Sequence, residues 1–140
     1  MLRLGSILLS SENPSALVDF YRKVLPTDVA WEAGGFTGLL AGDRMLIIGP
    51  HEKVSGQNTN PERIIFNFET DDVRGECARL QDLGVTVIQD AYHPDEMDDP
   101  NYLIATCCDP DGNYFQLVSP LGSATAEKLA DRKPASAGIF

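Results

Sequence analysis

The feature that most constrains the fold of this 140-residue chain is a repeated order of secondary-structure signals. In each half an apolar strand is followed by a capped amphipathic helix and then by three short strands separated by turn residues. A shift of 59 residues lays Ser6 on Ile65 and aligns the first strands and helices, whereas a shift of 70 lays Gly42 on Gly112 and aligns the last strands. A βαβββ unit leaves its sheet partly uncovered, so two such units are expected to pair.

The helices are predicted from capping residues and from the spacing of apolar positions. Asn13 is a good N-cap, and Pro14 suits the first helical position, where its missing N–H leaves no hydrogen bond unmade. Apolar residues then recur at spacings of three and four and predict one apolar helix face: Leu17, Phe20, Tyr21, Val24 and Leu25. For the second helix, Thr70, Asp71 and Asp72 offer caps, and the helix is predicted to end at Gly84. Its apolar positions are Val73, Cys77, Leu80 and Leu83.

Eight strands are predicted from short apolar runs bounded by turn residues. They are Leu2–Ser10, Val29–Glu32, Phe36–Ala41, Arg44–Gly49, Arg63–Glu69, Val85–Gln89, Tyr102–Cys108 and Tyr114–Ser119. We therefore predict an α+β fold in which two βαβββ repeats form a cupped mixed sheet around a central cleft. One domain is expected over residues 1–120, with halves 1–58 and 59–120. A C-terminal tail over 121–140 is expected to contain a short helix at Ala124–Asp131.

Composition excludes several classes of partner. The net charge of −10 disfavours nucleic acid and anionic membranes, because both require neutralising positive charge, although it is compatible with a cationic ligand. No apolar run approaches the ~18 residues of a membrane span. The three cysteines do not suggest a disulfide framework, so we expect a cytoplasmic protein.

Four stretches carry a recognisable pattern: Asn13–Leu25 with its Phe-Tyr pair, Phe68–Val73 (FETDDV), Leu80–Val85 (LQDLGV) and Asp109–Leu117 (DPDGNYFQL). In order and spacing they resemble the vicinal-oxygen-chelate superfamily of glyoxalase I, bleomycin-resistance proteins and extradiol dioxygenases, over residues 2–120. The resemblance implies a concave sheet face that binds a small ligand. In enzymatic members a divalent metal, usually held by two His and two Glu, acts there as a Lewis acid.

The metal-ligand positions implied by the resemblance lie on the first and last strands of each half. Carried over residue by residue, they fall on Ser6, Leu46, Ile65 and Gln116, and none is a histidine or a carboxylate. Divalent ions require anionic or imidazole ligands of suitable hardness. We therefore expect the usual metal site to be lost and no metal cofactor to be present.

Strand alternation predicts which side chains share the cleft face. We predict a ligand site formed by Ser6, Leu46, Arg63, Ile65, Asn67, Tyr114 and Gln116. Arg44 and Glu69 have the same parity, near strand ends. The opposite parity is nearly all apolar and is predicted to pack under the helices: Ile7, Leu9, Met45, Ile47, Ile64, Phe66, Phe68, Phe115 and Leu117.

Two histidines offer alternative chemistry. His93, together with the nearby Asp95 and Glu96, is a candidate metal ligand or general base. His51 lies just after a strand. The simpler interpretation is that both are structural or surface residues. For His93 the reason is that flexible acidic loops often contain a histidine without a function.

Cysteine and aromatic residues complete the candidates. Neighbouring aspartates disfavour a thiolate at Cys107-Cys108, so buried, inert thiols are expected, with one of the pair facing inward. Trp31, Phe36 and Tyr102 form either part of a pocket mouth, as an aromatic cage, or ordinary core packing.

Taken together, these observations favour a small-molecule-binding protein that lacks the usual metal, similar to the bleomycin-resistance branch, with a homodimer expected by analogy. Two alternatives stay open. One is a metal-dependent lyase or dioxygenase with atypical ligands that include His51, His93 or Glu69. The other is a small interaction domain whose tail, Ala124–Phe140, docks a partner.

Overall fold

The computed structural model describes residues 1–121, and the predicted tail helix at Ala124–Asp131 lies outside this range. The first half contains β1 (Ser6–Ser10), α1 (Pro14–Val24), β2 (Val29–Ala33), β3 (Phe36–Ala41) and β4 (Arg44–Gly49). The second half contains β5 (Phe66–Glu69), α2 (Val73–Asp82), β6 (Thr86–Tyr92), β7 (Ile104–Cys108) and β8 (Tyr114–Val118). The predicted α+β fold with two βαβββ repeats is confirmed.

The strands form two four-stranded mixed sheets with the same connectivity. The strand order is β1-β4-β3-β2 in the first sheet and β5-β8-β7-β6 in the second. In each sheet the first strand pairs parallel to the last, and the remaining pairs are antiparallel. β1 and β5 are therefore edge strands, and neither edge is paired with the other sheet.

Local sequence explains where the helices begin and end. α1 begins with Pro14 after Asn13, as predicted, but the Asn13 side chain makes no capping bond. The backbone N–H of Asn13 donates to the Ser11 hydroxyl. α2 has a true side-chain cap, because Asp72 accepts from the N–H of Gly75 at 2.9 Å. Gly84, with φ of 86°, follows the end of α2. Neither described helix is long and apolar enough to cross a membrane.

One continuous core joins the two halves. Buried residues of α1 and α2 pack against the helix-facing sides of both sheets. Aromatic rings join the halves directly, since Tyr21 of α1 lies 5.9 Å from Phe66 and 5.7 Å from Phe115, measured between ring centroids. The buried core residues are Leu17, Tyr21, Val24, Leu39, Leu46, Ile48, Phe66, Val73, Cys77, Leu80, Ala105, Cys107, Phe115 and Leu117.

The prediction of which β4 side chains face the cleft is wrong, because the predicted alternation along this strand is displaced by one residue. Leu46 pairs with Ile7 and is buried in the core, so it does not share a face with Ser6. Met45 and Ile47 lie on the open face of the first sheet, meaning the face opposite the helices. The prediction that Met45 and Ile47 pack under the helices is therefore also wrong.

The error arises from unequal turns. Two residues connect β3 to β4, whereas five residues, 109–113, connect β7 to β8. Aligning the turn glycines therefore displaces the strands. Leu46 pairs with Ile7, and Phe115 pairs with Phe66, so the last strands are related by a shift of 69 and not 70. A slip of one residue moves every side chain of a strand to the other face.

A buried aspartate holds the second turn and also binds the first half. The Asp109 carboxylate accepts hydrogen bonds from the N–H groups of Asp111 and Asn113 and from the Asn113 side chain, at 2.9–3.0 Å. It also accepts from the Tyr21 hydroxyl at 2.7 Å. Burial raises the pKa of the Tyr21 phenol, and the negative charge of Asp109 raises it further. The Phe-Tyr helix and the DPDGN turn are thus in direct contact.

The linker between β4 and β5, which connects the two halves, makes hydrogen bonds to the same turn. The N–H of Asn58 donates to the carbonyl of Asp111 at 2.8 Å, and the Gln57 side chain donates to the carbonyl of Pro110 at 2.8 Å. The N–H of Gly56 donates to the carboxylate of Glu12 at 2.9 Å. The linker therefore adds polar contacts between the halves to the apolar core that they share.

A groove between the two halves

A groove of about 630 Å³ lies between the first strands of the two halves. Its walls come from the start of β1 and β4 in the first sheet and from the approach to β5 and β5 itself in the second. The end of α1 contributes Leu25. The lining residues are Leu4, Ser6, Ile7, Leu25, Leu40–Leu46 and Ile64–Glu69. Most are apolar, with a few polar groups among them, as is usual for small-molecule pockets.

Four of the seven predicted ligand-binding residues line this groove. They are Ser6, Leu46, Ile65 and Asn67. Ser6 and Asn67 present exposed polar side chains, whereas Leu46 contributes from the core and is almost fully buried. Their role in binding stays a prediction.

The other three predicted residues lie outside the groove lining. Arg63 is exposed and precedes β5, which begins at Phe66 and not at residue 63. Tyr114 is the first residue of β8 and pairs with Cys108. Gln116 is buried, and its side-chain amide donates to the Thr106 hydroxyl at 3.1 Å.

Several lining residues were not among the seven predicted ligand-binding residues. Leu4, which has the same parity as Ser6, precedes β1, and Leu40 lies on the open face of the first sheet. Leu25 was assigned only to a helix face. Ile64 was predicted to pack under a helix, yet it is 70% exposed. Alternation within a strand places Leu4 with Ser6, but it gives no signal for Leu25, which follows a helix, and it misplaces Ile64, which precedes β5.

Three charged side chains line the groove, and two of them are paired with each other. Arg44 donates to Asp43 at 3.3 Å. Glu69 makes no hydrogen bond or ion pair with any residue in the described range, 1–121. Burial raises the pKa of Tyr102, and the negative charge of Glu69 raises it further, to about 12.

The donor groups of the groove do not fit the metal site that the resemblance implies. With the corrected register, Ile47 and not Leu46 is the counterpart of Gln116, and it is equally unable to bind a metal. Glu69 is a suitable carboxylate ligand, but neither histidine lines the groove. Over residues 1–121, no group of three or more His, Cys, Asp or Glu side chains is arranged to hold a metal ion.

The two histidines lie elsewhere and have local partners. His51 Nδ1 accepts from the N–H of Lys53 at 3.1 Å. His93 Nδ1 lies 2.8 Å from the carbonyl oxygen of Tyr102, so this nitrogen carries a proton and donates. Neither lines the groove. The structure therefore does not bring His51, His93 and Glu69 together.

The cysteines and aromatic residues form no second site at the groove. Cys107 faces the core, and burial, with smaller contributions from the neighbouring thiols, raises the pKa of its thiol to about 12. Burial and then Asp109 raise the pKa of Cys108. Trp31 and Phe36 lie on the open face of the first sheet, whereas Tyr102 packs against the second sheet, so the predicted aromatic cage does not form.

The open faces of the two sheets differ in character. On the first, Leu8 is 57% exposed, Leu40 45% and Trp31 44%, with Met45 and Ile47 between them. The second carries polar side chains, among them Asn67, Thr106 and Gln116. Part of the second open face is covered by its own loop, from which Met97 and Tyr102 pack against Ile104 and Val118.

Comparisons with known proteins agree with this architecture. A family model described as a glyoxalase-like domain matches residues 6–118. A search of the curated proteins finds no match.

Solved structures with the same fold include a glyoxalase/bleomycin resistance protein/dioxygenase family enzyme from Burkholderia phytofirmans. It is 19% identical, covers 86% of this chain and 100% of its own, and has a TM-score of 0.67. A lactoylglutathione lyase from Agrobacterium tumefaciens is 19% identical over 84% of this chain and 92% of its own, with a TM-score of 0.65. A glyoxalase-related enzyme from Fulvimarina pelagi is 15% identical over 88% and 94%, with a TM-score of 0.67.

Proposed function

We propose that this chain, which belongs to the glyoxalase-like domain family, binds a small organic molecule in the groove between its halves without a divalent metal. The observation that carries the proposal is the composition of the groove, which combines apolar walls with the exposed polar side chains of Ser6, Asn67 and Glu69. Apolar walls supply binding energy, while a few polar groups orient the ligand.

The donor set supports the metal-free part of the proposal. Ser6 and Asn67 carry only neutral oxygen donors on their side chains. Two carboxylates line the groove, and the ion pair of Asp43 with Arg44 leaves Glu69 as the unpaired one. A tight site for a borderline metal such as Zn²⁺ normally uses three or four imidazole, thiolate or carboxylate ligands. A single carboxylate with neutral oxygens is expected to bind such ions weakly.

The test of the metal-free proposal is calorimetric titration of the metal-stripped protein with Zn²⁺, Ni²⁺, Mn²⁺ and Fe²⁺, together with the metal content of the protein as purified. We expect no stoichiometric binding. A tight site with one metal per chain would contradict the proposal, and loss of that site in Glu69→Gln would locate it in the groove.

Binding in the groove is tested separately by blocking it. Ser6→Trp places an indole at the groove wall, and Ser15→Trp makes the same change on the exposed surface of α1. In a thermal-shift screen of small organic molecules, we expect the hits of the wild-type protein to be retained by Ser15→Trp and lost by Ser6→Trp. Retention by both variants would contradict a site in the groove.

We further propose that a second copy of the chain covers the open face of the first sheet. Leu8, Leu40 and Trp31 form an exposed apolar patch on it, and such patches often mark interfaces. Leu8→Asp is therefore expected to convert a dimer to a monomer in analytical ultracentrifugation. Ile88→Asp, a matched change at an exposed position of β6, is expected to leave the mass unchanged. A monomeric wild-type protein at micromolar concentration would contradict this proposal.

The proposed location is a reducing cytoplasm. All three cysteines, Cys77, Cys107 and Cys108, are free, and burial raises the pKa of each thiol. Thiols of this kind are stable where the surroundings keep them reduced.

A further inference from the structure

Building on the proposed function, we infer that the ligand is an organic cation, with an apolar body that lies along the groove and a protonated nitrogen that lies against Glu69. The inference concerns the charge of the ligand, which the proposed function leaves open. It depends on how the charged groups of the groove are arranged.

Two of the three charged side chains that line the groove neutralise each other. Arg44 and Asp43 are adjacent in the chain and form an ion pair, so together they contribute no net charge. Glu69 is the remaining charged residue of the lining, and it has no partner among residues 1–121. The groove therefore presents one uncompensated negative charge.

The Glu69 carboxylate lies on an exposed side chain at the end of β5, on the same open face as Asn67. Tyr102, whose pKa Glu69 helps to raise, is almost fully buried nearby. Most of the other residues that line the groove are apolar. A cation with an apolar body satisfies both the walls and the carboxylate.

Two neutral polar side chains, those of Asn67 and Ser6, also line the groove. Asn67 lies two residues before Glu69 on β5 and shares its face, which places the two side chains roughly 6–7 Å apart along the strand. Neither the Asn67 amide nor the Ser6 hydroxyl has a side-chain hydrogen bond within residues 1–121, and each offers an oxygen acceptor. An ammonium group at Glu69 thus has a further acceptor beside it on β5, the amide oxygen of Asn67.

The net charge of the chain acts in the same direction. At −10 it attracts cations over a longer range and repels anions, an effect that weakens as the salt concentration rises. Net charge alone does not select a position in the groove. The position of Glu69 does, and the experiment must separate these two effects.

Three probes of the same shape and different charge test the inference: 2-naphthylmethylamine, which is protonated at pH 7, 2-naphthylmethanol, which is neutral, and 2-naphthoate, which is an anion. Calorimetry gives each affinity, and amide chemical shifts in NMR locate each probe. We expect the amine to bind about three- to tenfold more tightly than the alcohol, and the anion to bind least.

Two variants separate the position of the charge from its sum. Glu69→Gln and Glu32→Gln each remove one negative charge, and Glu32 lies on β2 outside the groove lining. We expect Glu69→Gln to reduce amine affinity to that of the alcohol and to leave alcohol affinity unchanged. Glu32→Gln should keep the preference for the amine.

The outcomes distinguish failure of the inference from failure of the proposed function. If the amine and the alcohol bind the groove equally, or if Glu69→Gln and Glu32→Gln behave alike, the inference is overturned and the proposed function stands. If no probe shifts groove amides at millimolar concentration, both are contradicted.

Discussion

The two halves of this protein keep the same helix-facing side and differ on the opposite side. Ile7, Leu46 and Ile48 of the first half correspond to Phe66, Phe115 and Leu117 of the second, and all face the shared core. The open face of the first sheet is apolar and is not covered by any segment within residues 1–121, whereas that of the second carries polar side chains and is partly covered by its own loop. Packing against a helix constrains one face of a sheet strictly, and the other face is free to acquire a binding role.

The largest expected effect tests which side of β4 faces the core. Leu46 is buried and Ile47 lies on the open face, so Leu46→Ala is expected to cost about 2–5 kcal/mol of unfolding free energy. Ile47→Ala should cost less than half as much, because its side chain is already partly exposed. Urea denaturation of both variants measures the difference. A larger loss for Ile47→Ala would show that the register, and with it the comparison of the halves, is wrong.

The next effect tests the contact that only one turn makes. Tyr21→Phe removes a hydrogen bond to the buried carboxylate of Asp109 and is expected to cost about 1.5–3 kcal/mol. Asp43, in the turn of the first half, has a largely exposed side chain, so Asp43→Asn is expected to have little effect. Chemical denaturation compares the two. Equal losses would mean that the turns are equivalent after all.

Alkaline pH gives a smaller effect with the same origin. The pKa of Tyr21 is raised above its ordinary value of 10.0, so the unfolded chain loses this proton first. The stabilisation is complete below pH 10 and is lost as the pH rises further. The free energy of unfolding, measured between about pH 8 and 11, should fall more steeply for the wild-type protein than for Tyr21→Phe. Parallel curves would contradict the assignment.

The smallest effect tests the polar character of the second open face. Thr106→Val removes the acceptor of the Gln116 amide and is expected to cost about 1 kcal/mol. Thr86→Val, at an exposed position on β6, serves as the matched control. Adding Gln116→Leu to Thr106→Val should recover part of the loss, because no buried amide is then left without a partner. A further loss in the double variant would contradict this explanation.

Most of the fold follows from the sequence, because its signals are local. α1 begins at Pro14 after Asn13, and β3 and β4 have the predicted bounds. Strand ends were less accurate where a tertiary contact decides them. β5 begins at Phe66, where pairing with Phe115 of β8 starts, although the apolar run begins earlier.

The candidate site was predictable only in part. Alternation predicted the strand faces of Ser6 and Asn67 that the pairing has, and their role in binding stays a prediction. The groove lies where two sheet edges meet, and no periodicity within a strand encodes that junction. Leu46 was misplaced because the turn glycines are not structurally equivalent. Gln116 was predicted to bind the ligand, but its side chain is buried and its amide donates to the Thr106 hydroxyl.

The contact between Tyr21 and Asp109 also decides what can be done with the halves as separate pieces. Under the shift of 59 that relates the helices, the counterpart of Tyr21 is Leu80, which is equally buried, and the short turn of the first half contains no counterpart of Asp109. Two copies of the first half would supply two Tyr21 phenols and no carboxylate equivalent to that of Asp109. Two copies of the second half would place each Asp109 carboxylate against Leu80. The halves are therefore complementary fragments, and a split version of this protein should reassemble only when both pieces are present.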